Sequence, residues 1–435
     1  MLFLNYPAAT RFLAVLIVCC QACSICFGAE ALNIDPGDQA CRVLADAGVR
    51  GGLIVHVGCG DGKLTAALRA NDGYVVHGLD ANPANIEKAR RYIRSLGLYG
   101  KMSVEPWARD RLPYTDNLVN LVVSEDLGRI SMDEVTRVLC PGGVAVIKEK
   151  DEWKKTVKPR PDDIDQWTHF LHDASGNAVA KDQQAGPPRH VQWLAAPKRS
   201  RDHDSLASLI ALTSSGGRIF QICDEGPISL IHHPPQWRLV ARDALNGTLL
   251  WKREIESWLT HLYYFWSGHV QLPRRLVSID DRVYVTLGME APVTALDAAT
   301  GRTLFSFKGS EKTEEIICHD DVLLAVIGDP NLLNREADNT WNYWPRRADG
   351  QRAGAKLIVA YRASTGDLLW EKSAGNLAYL VPLSLAASGR RAFFLDQDHL
   401  DCVDLQTGED LWQAPCPIEG RFLRNYVPTF VPRSQ

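Results

Sequence analysis

One signature occurs four times in the second half of the chain, and a recurrence of that kind restricts the fold more than composition can. It reads ARDALNGTLLWKRE near residue 241, ALDAATGRTLFSFKG near 295, AYRASTGDLLWEKSAG near 360 and CVDLQTGEDLWQAP near 402. Each copy is a strand, a tight turn and a second strand. Gly247, Gly301, Gly366 and Gly408 supply the left-handed backbone that the turn needs, and Trp251, Phe305, Trp370 and Trp412 follow four residues later. The copies recur at periods of about 42 to 65 residues, with apolar runs such as Arg282-Val283-Tyr284-Val285 and Val322-Leu323-Leu324-Ala325 ahead of them. Such units are four-stranded antiparallel sheets with insertions, repeated radially.

The first half of the chain follows a different rule. Only Trp107 lies before residue 150, whereas the other eleven tryptophans follow it. Between residues 31 and 150 apolar runs alternate with helical periodicity, the pattern of a doubly wound α/β domain. The divisions are residues 1–29 (leader), 30–150 (α/β), 151–204 (a Pro-, Lys- and Asp-rich connector) and 205–435 (repeats). With 435 residues, 23% charged, 46% hydrophobic and a formal net charge of -4, the chain is neither disordered nor collagen-like. Its mildly acidic balance offers no broad basic footprint, so no nucleic-acid partner is expected.

Residues 12–29 contain no charge, Arg11 precedes them, and Ala29-Glu30-Ala31 offers a small-x-small cleavage site. This reads as an export signal, either cleaved or kept as a membrane anchor, placing the rest in the periplasm or cell envelope. Four of the 11 cysteines would leave with it. The remaining seven, Cys41, Cys59, Cys140, Cys223, Cys318, Cys402 and Cys416, form no CxxC pair and leave open one or two disulfides or buried free thiols.

In the α/β half, the apolar run at residues 52–57 feeds Gly58-Cys59-Gly60-Asp61-Gly62 and then a helix carrying Leu64, Ala67 and Leu68. Glycines there let the backbone approach a ligand, and the helix start adds partial positive charge. The G-x-G-x-G spacing departs from the dinucleotide fingerprint, which disfavours NAD. A second strand ends at Asp80, where a carboxylate can accept hydrogen bonds from ribose hydroxyls. Asn82-Pro83 opens a helix with Ile86, Ala89, Ile93 and Leu96 on one face. Residues 118–123 form another buried strand, and a Ser131/Glu134 capping box starts a helix expected to stop at Pro141-Gly142-Gly143.

The strings VHVGCGDGKLTAAL, VHGLDANPANIEKAR, RLPYTDNLVNLVVSED and EVTRVLCPGGVAVI, in this order, resemble the motifs of class I S-adenosylmethionine-dependent methyltransferases. The resemblance covers about 120 residues and implies a Rossmann-like fold. It places Gly58, Gly60 and Gly62 against the methionine part of S-adenosylmethionine and Asp80 on the ribose. His56 stands where the family usually has Asp or Glu. The acid expected beside the adenine falls on Ala108, with Asp110 as the substitute. No Asn/Asp-Pro-Pro-aromatic motif follows the fourth strand, which argues against amino-methylation of bases. No catalytic residue is assigned; Ser124, Glu125 and Asp126 lie at the mouth where acceptors often sit.

The repeats resemble PQQ-like, quinoprotein alcohol dehydrogenase-like β-propellers, in which the repeated aromatic docks between blades. The mature chain has no adjacent cysteines of the kind that quinoprotein dehydrogenases carry, so PQQ itself is disfavoured. Four recognisable blades make a partial propeller, to be closed by a longer parent chain, an unusually small ring or another copy; a truncated gene product is favoured. In the connector, His169 and His172 could share a helical face with Asp173 or Asp204 nearby, but scattered surface His/Asp is commoner and no metal site is expected. Aromatic insertions at residues 258–266 and 341–347 suit either a binding surface or packing under a blade.

The fold expected is therefore an α/β Rossmann-like methyltransferase domain followed by an all-β partial propeller. Two functions are expected of it. One is methyl transfer from S-adenosylmethionine to an unknown acceptor. The alternative is a non-catalytic envelope scaffold, binding protein partners through the propeller, with a degenerate methyltransferase domain.

Overall fold

The structure, a computed structural model, describes residues 35–416 apart from 151, 185, 188–189, 197–208, 228–235, 257–271, 289, 329–356, 374–379, 381–383 and 396–398. The N-terminal apolar run, Asp204 and both aromatic insertions lie outside the described residues. Among the described residues, no helix is long and apolar enough to cross a membrane.

The chain begins with α1 (Pro36–Ala47), capped by Asp35, whose carboxylate accepts from the Gly37 N–H at 2.9 Å. There follow β1 (Gly52–Val57), α2 (Lys63–Ala67), β2 (Tyr74–Asp80), α3 (Pro83–Ser95), β3 (Met102–Pro106), β4 (Val119–Ser124), α4 (Met132–Val138), β5 (Leu139–Glu149) and β6 (Glu152–Val157). They form one sheet in the order β3-β2-β1-β4-β5-β6, parallel through β5, with β6 antiparallel to β5. The parallel strands are apolar on both sides because both sides are covered. Ile54, Val76 and Leu121 pack with Ala40, Val43, Leu64, Ile86 and Ala89, while Val55, Leu79 and Val122 pack with Val135 and Val138.

The helix expected to run up to Pro141 stops at Val138, and Leu139 is already extended at φ -61°, ψ 136°. Proline has no N–H and pushes the residue before it out of the helical region, so Leu139 and Cys140 join β5 instead. Gly142 then turns with φ 79°, and the register against β4 shifts there.

Beyond the connector come four antiparallel sheets, each of four strands. The first holds β7 (Leu209–Ser215), β8 (Arg218–Asp224), β9 (Trp237–Asp243) and β10 (Leu249–Glu254). The second holds β11 (Leu276–Ile279), β12 (Arg282–Thr286), β13 (Val293–Asp297) and β14 (Thr303–Ser306). The third holds β15 (Thr313–His319), β16 (Val322–Ile327), β17 (Leu357–Arg362) and β18 (Leu368–Lys372). The fourth holds β19 (Ala386–Ser388), β20 (Arg391–Leu395), β21 (His399–Asp404) and β22 (Asp410–Pro415). The first strands are neighbours in succession, β7 with β11, β11 with β15 and β15 with β19, so these are consecutive blades of a propeller with those strands innermost.

The blades join by one repeated contact. Trp251 donates its indole N–H to the Ala298 carbonyl at 2.9 Å, and Trp370 donates to the Leu405 carbonyl at 3.0 Å. A Cβ on Gly301 would lie 2.5 Å from the Trp251 ring, one on Gly366 2.9 Å from Phe305, and one on Gly408 2.6 Å from Trp370. Each turn glycine is therefore needed twice, for its positive φ and for the aromatic lying flat on it. The first blade receives the same contact from the connector, where Trp193 covers Gly247 and donates to the Ala244 carbonyl at 3.0 Å.

The connector is also a peg on the inner side of the propeller. Backbone N–H groups on the four innermost strands donate to it in order along the chain. Ser214 of β7 donates to the Trp167 carbonyl at 2.7 Å, and Ser278 of β11 to the Thr168 carbonyl at 2.9 Å. Cys318 of β15 donates to His169 Nε2 at 3.0 Å, and Ala387 of β19 to the Ala174 carbonyl at 2.7 Å. His169 and His172 are not on a helical face; they are bridged across a tight turn, with His172 left-handed at φ 73°. His172 Nε2 lies 2.7 Å from the Asp165 carboxylate, and the Trp167 ring meets the imidazole edge-on at 5.2 Å.

The α/β body rests on the first two blades through the N-terminal ends of its parallel strands. Asn120, the second residue of β4, donates to the Asp243 carboxylate at 2.7 Å and accepts from Asn246 at 2.7 Å and from the Leu53 N–H at 2.7 Å. Arg50 pairs with Asp297 at 3.1 Å. Gly51 and Gly73 admit Leu250, since a Cβ on Gly51 would lie 2.7 Å from its side chain and one on Gly73 3.1 Å from its carbonyl oxygen.

Candidate functional site

At the other end of the sheet, the loops after β1, β2 and β4 open where the strand order reverses between β1 and β4, the place where open α/β sheets bind ligands. The loop after β1 turns back sharply. Gly58 and Cys59 both donate to the Leu79 carbonyl, at 2.7 and 3.0 Å, and Gly58, Gly60 and Gly62 have φ of 75°, 54° and 82°.

The three glycines differ in purpose. A Cβ on Gly60 would meet nothing within 4 Å, so this residue borders open space. A Cβ on Gly58 would lie 3.5 Å from the Asp126 carbonyl oxygen, in ordinary contact. At Gly62 a Cβ would lie 2.7 Å from Ala89 Cβ, so glycine there serves the packing of α2 on α3. The helix after the loop has only five residues, and its dipole is correspondingly small.

Asp80 is the hub of the cleft. Its carboxylate accepts from the Gly60 N–H at 2.9 Å, the Asn82 N–H at 2.7 Å and the Asn85 amide at 3.2 Å to each oxygen. It is 8% exposed. The two backbone bonds build the loop, and the longer Asn85 contacts take the acceptor sites that a ligand hydroxyl would have to claim. Asp110 lies exposed in the loop after β3. That loop is held to Asp80 by the Trp107 N–H on its carbonyl at 2.8 Å, and closed by the Trp107 indole on the Arg111 carbonyl at 2.9 Å.

His56, on β1 just before the glycine loop, is buried with Nδ1 2.9 Å from Thr65 Oγ1 and Nε2 without a partner among the described residues. Burial pushes its pKa down to about 4, and the opposing pull of Glu125 and Asp80 is smaller. The imidazole is neutral at pH 7, where a carboxylate would be charged. Of the residues at the mouth, Ser124 is buried and donates its hydroxyl to the Val57 carbonyl at 2.9 Å. Glu125 accepts from Gln39 of α1 at 2.8 Å, and Asp126 accepts from the Gly128 N–H at 2.9 Å.

Asn85, Gln39 and Thr65 were not visible as site residues in the sequence. Asn85 had a signal, because a polar residue at the third helical position reaches back over the cap. The contacts of Gln39 and Thr65 depend on tertiary packing and had none.

All seven described cysteines are free thiols. Burial raises Cys59, Cys140 and Cys318 to about 12. Among the described residues no three His, Cys, Asp or Glu side chains gather as metal ligands. His169 is spent on Thr168 and Cys318, and burial pushes its pKa down to about 4.

Two sequence families match the two bodies. One, described as a methyltransferase domain, covers residues 54–143, and the other, described as the outer membrane protein assembly factor BamB, covers residues 236–421. The chain joins a methyltransferase domain to BamB-type PQQ repeats. Over 106 residues it is 32% identical to methyltransferase GfsG of Streptomyces halstedii, a match covering 23% of this chain and 38% of that protein. Over 181 residues it is 25% identical to the ubiquinone/menaquinone biosynthesis C-methyltransferase UbiE of Pseudoalteromonas translucida, covering 39% of this chain and 69% of the relative. The chain thus spans well under half the length of the first of these curated relatives. Similar solved structures include geranyl diphosphate C-methyltransferase from Streptomyces coelicolor, with 21% identity, a TM-score of 0.24 and coverage of 25% of this chain and 42% of that one. Another is the YcgJ protein of Bacillus, with 18% identity, a TM-score of 0.23 and coverage of 25% and 49%.

Proposed function

We propose that the methyltransferase domain binds S-adenosylmethionine over Gly58 and Gly60 and transfers its methyl group to an acceptor, from an envelope location to which residues 12–29 direct the protein. The observation that carries this reading is the Gly60 N–H on Asp80 beside open space. It sets open space beside the loop next to a carboxylate whose longer Asn85 contacts a ligand hydroxyl can replace. Bound there, S-adenosylmethionine supplies an electrophilic methyl group. Asp80 accepts the ribose hydroxyls as Asn85 yields its longer contacts, Gly58 and Gly60 admit the ligand to the backbone, and Asp110 flanks the base. Such catalysis rests on holding donor and acceptor in line, and no nucleophile is required of the chain.

The neutral His56 favours a second reading, a retained fold without turnover whose propeller serves as an interaction scaffold. Calorimetric titration of the protein with S-adenosylmethionine, beside Asp80→Ala, separates the two. Micromolar binding lost in the variant supports the enzyme. No binding at millimolar ligand leaves the scaffold.

A further inference from the structure

One buried atom behind the glycine turn is unmatched. His56 is 3% exposed, and its Nε2 meets no hydrogen-bond partner among the described residues. Buried polar atoms are nearly always paired, so an unmet one calls for a reason. Its surroundings supply one. Side chains alternate across a sheet, which puts His56 on the side of Ile54, facing α1, α2 and α3. There it touches Thr65 of α2, behind the turn that joins β1 to that helix. Glu125, an exposed carboxylate held by Gln39 of α1, lies on the same side of the sheet. Glu125 and Asp80 carry the charges that act on the imidazole.

A neutral imidazole has one donor and one acceptor nitrogen, and the bond made at one fixes the role of the other. The Thr65 hydroxyl has Nδ1 as its sole partner among the described residues, so its proton goes to Nδ1. Nε2 is then the nitrogen that bears hydrogen. A carboxylate in this place would offer acceptors alone. His56 instead offers a donor, between two acids that can only accept.

Resting on the reading that the cleft takes S-adenosylmethionine, we propose that the His56 Nε2–H binds the carboxylate at the amino-acid end of that ligand. That end is zwitterionic and lies over the glycine turn in the proposed pose. Its ammonium suits Glu125. Its carboxylate is repelled by Glu125 and Asp80, and the buried N–H is the group that offsets this. Thr65 is a positioning residue, because it keeps the proton on Nε2.

Calorimetric titration of the full chain with S-adenosylmethionine and with decarboxylated S-adenosylmethionine isolates the carboxylate, since the ligands are otherwise identical. On charge alone the acidic lining favours the decarboxylated ligand. The wild type is expected to favour S-adenosylmethionine by about 10- to 100-fold, the worth of one hydrogen bond to a charged group. Thr65→Val, which lets the proton move to Nδ1, should remove most of that preference, and Thr65→Ser, which keeps the hydroxyl, should retain it. His56→Phe should abolish it. The ring ¹⁵N shifts of His56, read without ligand, should place the proton on Nε2 in the wild type and on Nδ1 in Thr65→Val. Equal affinity of the wild type for both ligands, an undiminished preference in Thr65→Val, or a wild-type proton on Nδ1 overturns the role of His56 and leaves binding itself standing. No binding of either ligand at millimolar concentration overturns the S-adenosylmethionine reading beneath it as well.

Discussion

Asn120 donates to the Asp243 carboxylate at 2.7 Å and accepts from the Asn246 amide at 2.7 Å, and these bonds tie the fourth strand of the α/β sheet to the turn of the first blade. Burial raises the pKa of Asp243, so the amide hydrogen bonds that hold its charge matter. Asn120→Ala removes that donor, orphans the Leu53 N–H and leaves the Asn246 amide with the Leu118 carbonyl alone. It should cost about 3 kcal/mol in urea unfolding, since each unmet buried partner costs about 1 to 3 kcal/mol. S-adenosylmethionine binding at the far end of the strands should be unchanged. An equal loss of binding would show that the two ends are coupled.

Gly60→Ala and Gly62→Ala separate a glycine beside open space from a packing glycine. Both force a left-handed residue, at about 1 to 2 kcal/mol. At Gly62 the added carbon also meets Ala89 at 2.7 Å, so Gly62→Ala should lower the melting temperature well beyond Gly60→Ala. Gly60→Ala should remain folded by circular dichroism and bind S-adenosylmethionine more weakly.

Burial holds His56 and His169 neutral, with pKa values moved from 6.5 down to about 4. Between those values the unfolded chain binds more protons than the folded one. The stability they confer is therefore complete above pH 6.5 and is lost as pH falls toward 4. A shift of this size is worth about 3 kcal/mol per site. Urea midpoints measured from pH 7 to 4 should fall in the wild type, and less steeply in His56→Gln or His169→Gln. Parallel profiles for all three proteins would place the acid sensitivity elsewhere.

Replacing a buried blade tryptophan opens a large cavity, so Trp370→Ala should cost about 3 to 5 kcal/mol. Trp412→Ala should change the stability by under about 1 kcal/mol, as expected of a surface position. Denaturant titration of both variants reads the difference.

Much of this was legible from local pattern. The run at residues 52–57, the Asn82-Pro83 cap and the four turn signatures each became the expected element, because alternation, capping and turn chemistry are short-range. The helix ended before the Pro141 boundary because the restriction that proline puts on the residue before it, and the strand pairing of Leu139, outweighed helical periodicity. At the site, Asp80 could be read from its place at a strand end, but its occupancy by Asn82 and Asn85 could not. The separate purpose of Gly62 was hidden in an approach of α3 that no spacing encodes. The connector was least legible. Its histidines suggested a shared helical face, whereas the structure uses His169 as an acceptor for a strand 149 residues away in the sequence.

That peg bears on how the array can have changed in descent. A run of identical blades can ordinarily be lengthened or shortened by copying or deleting one unit, since each meets only its neighbours. Here Trp167, Thr168, His169 and Ala174 each answer to a different blade. Losing a blade would strand one of these acceptors, and inserting one would present an inner strand with no counterpart. The number and order of the described blades are thus written a second time, upstream of them, in a stretch shorter than a single blade.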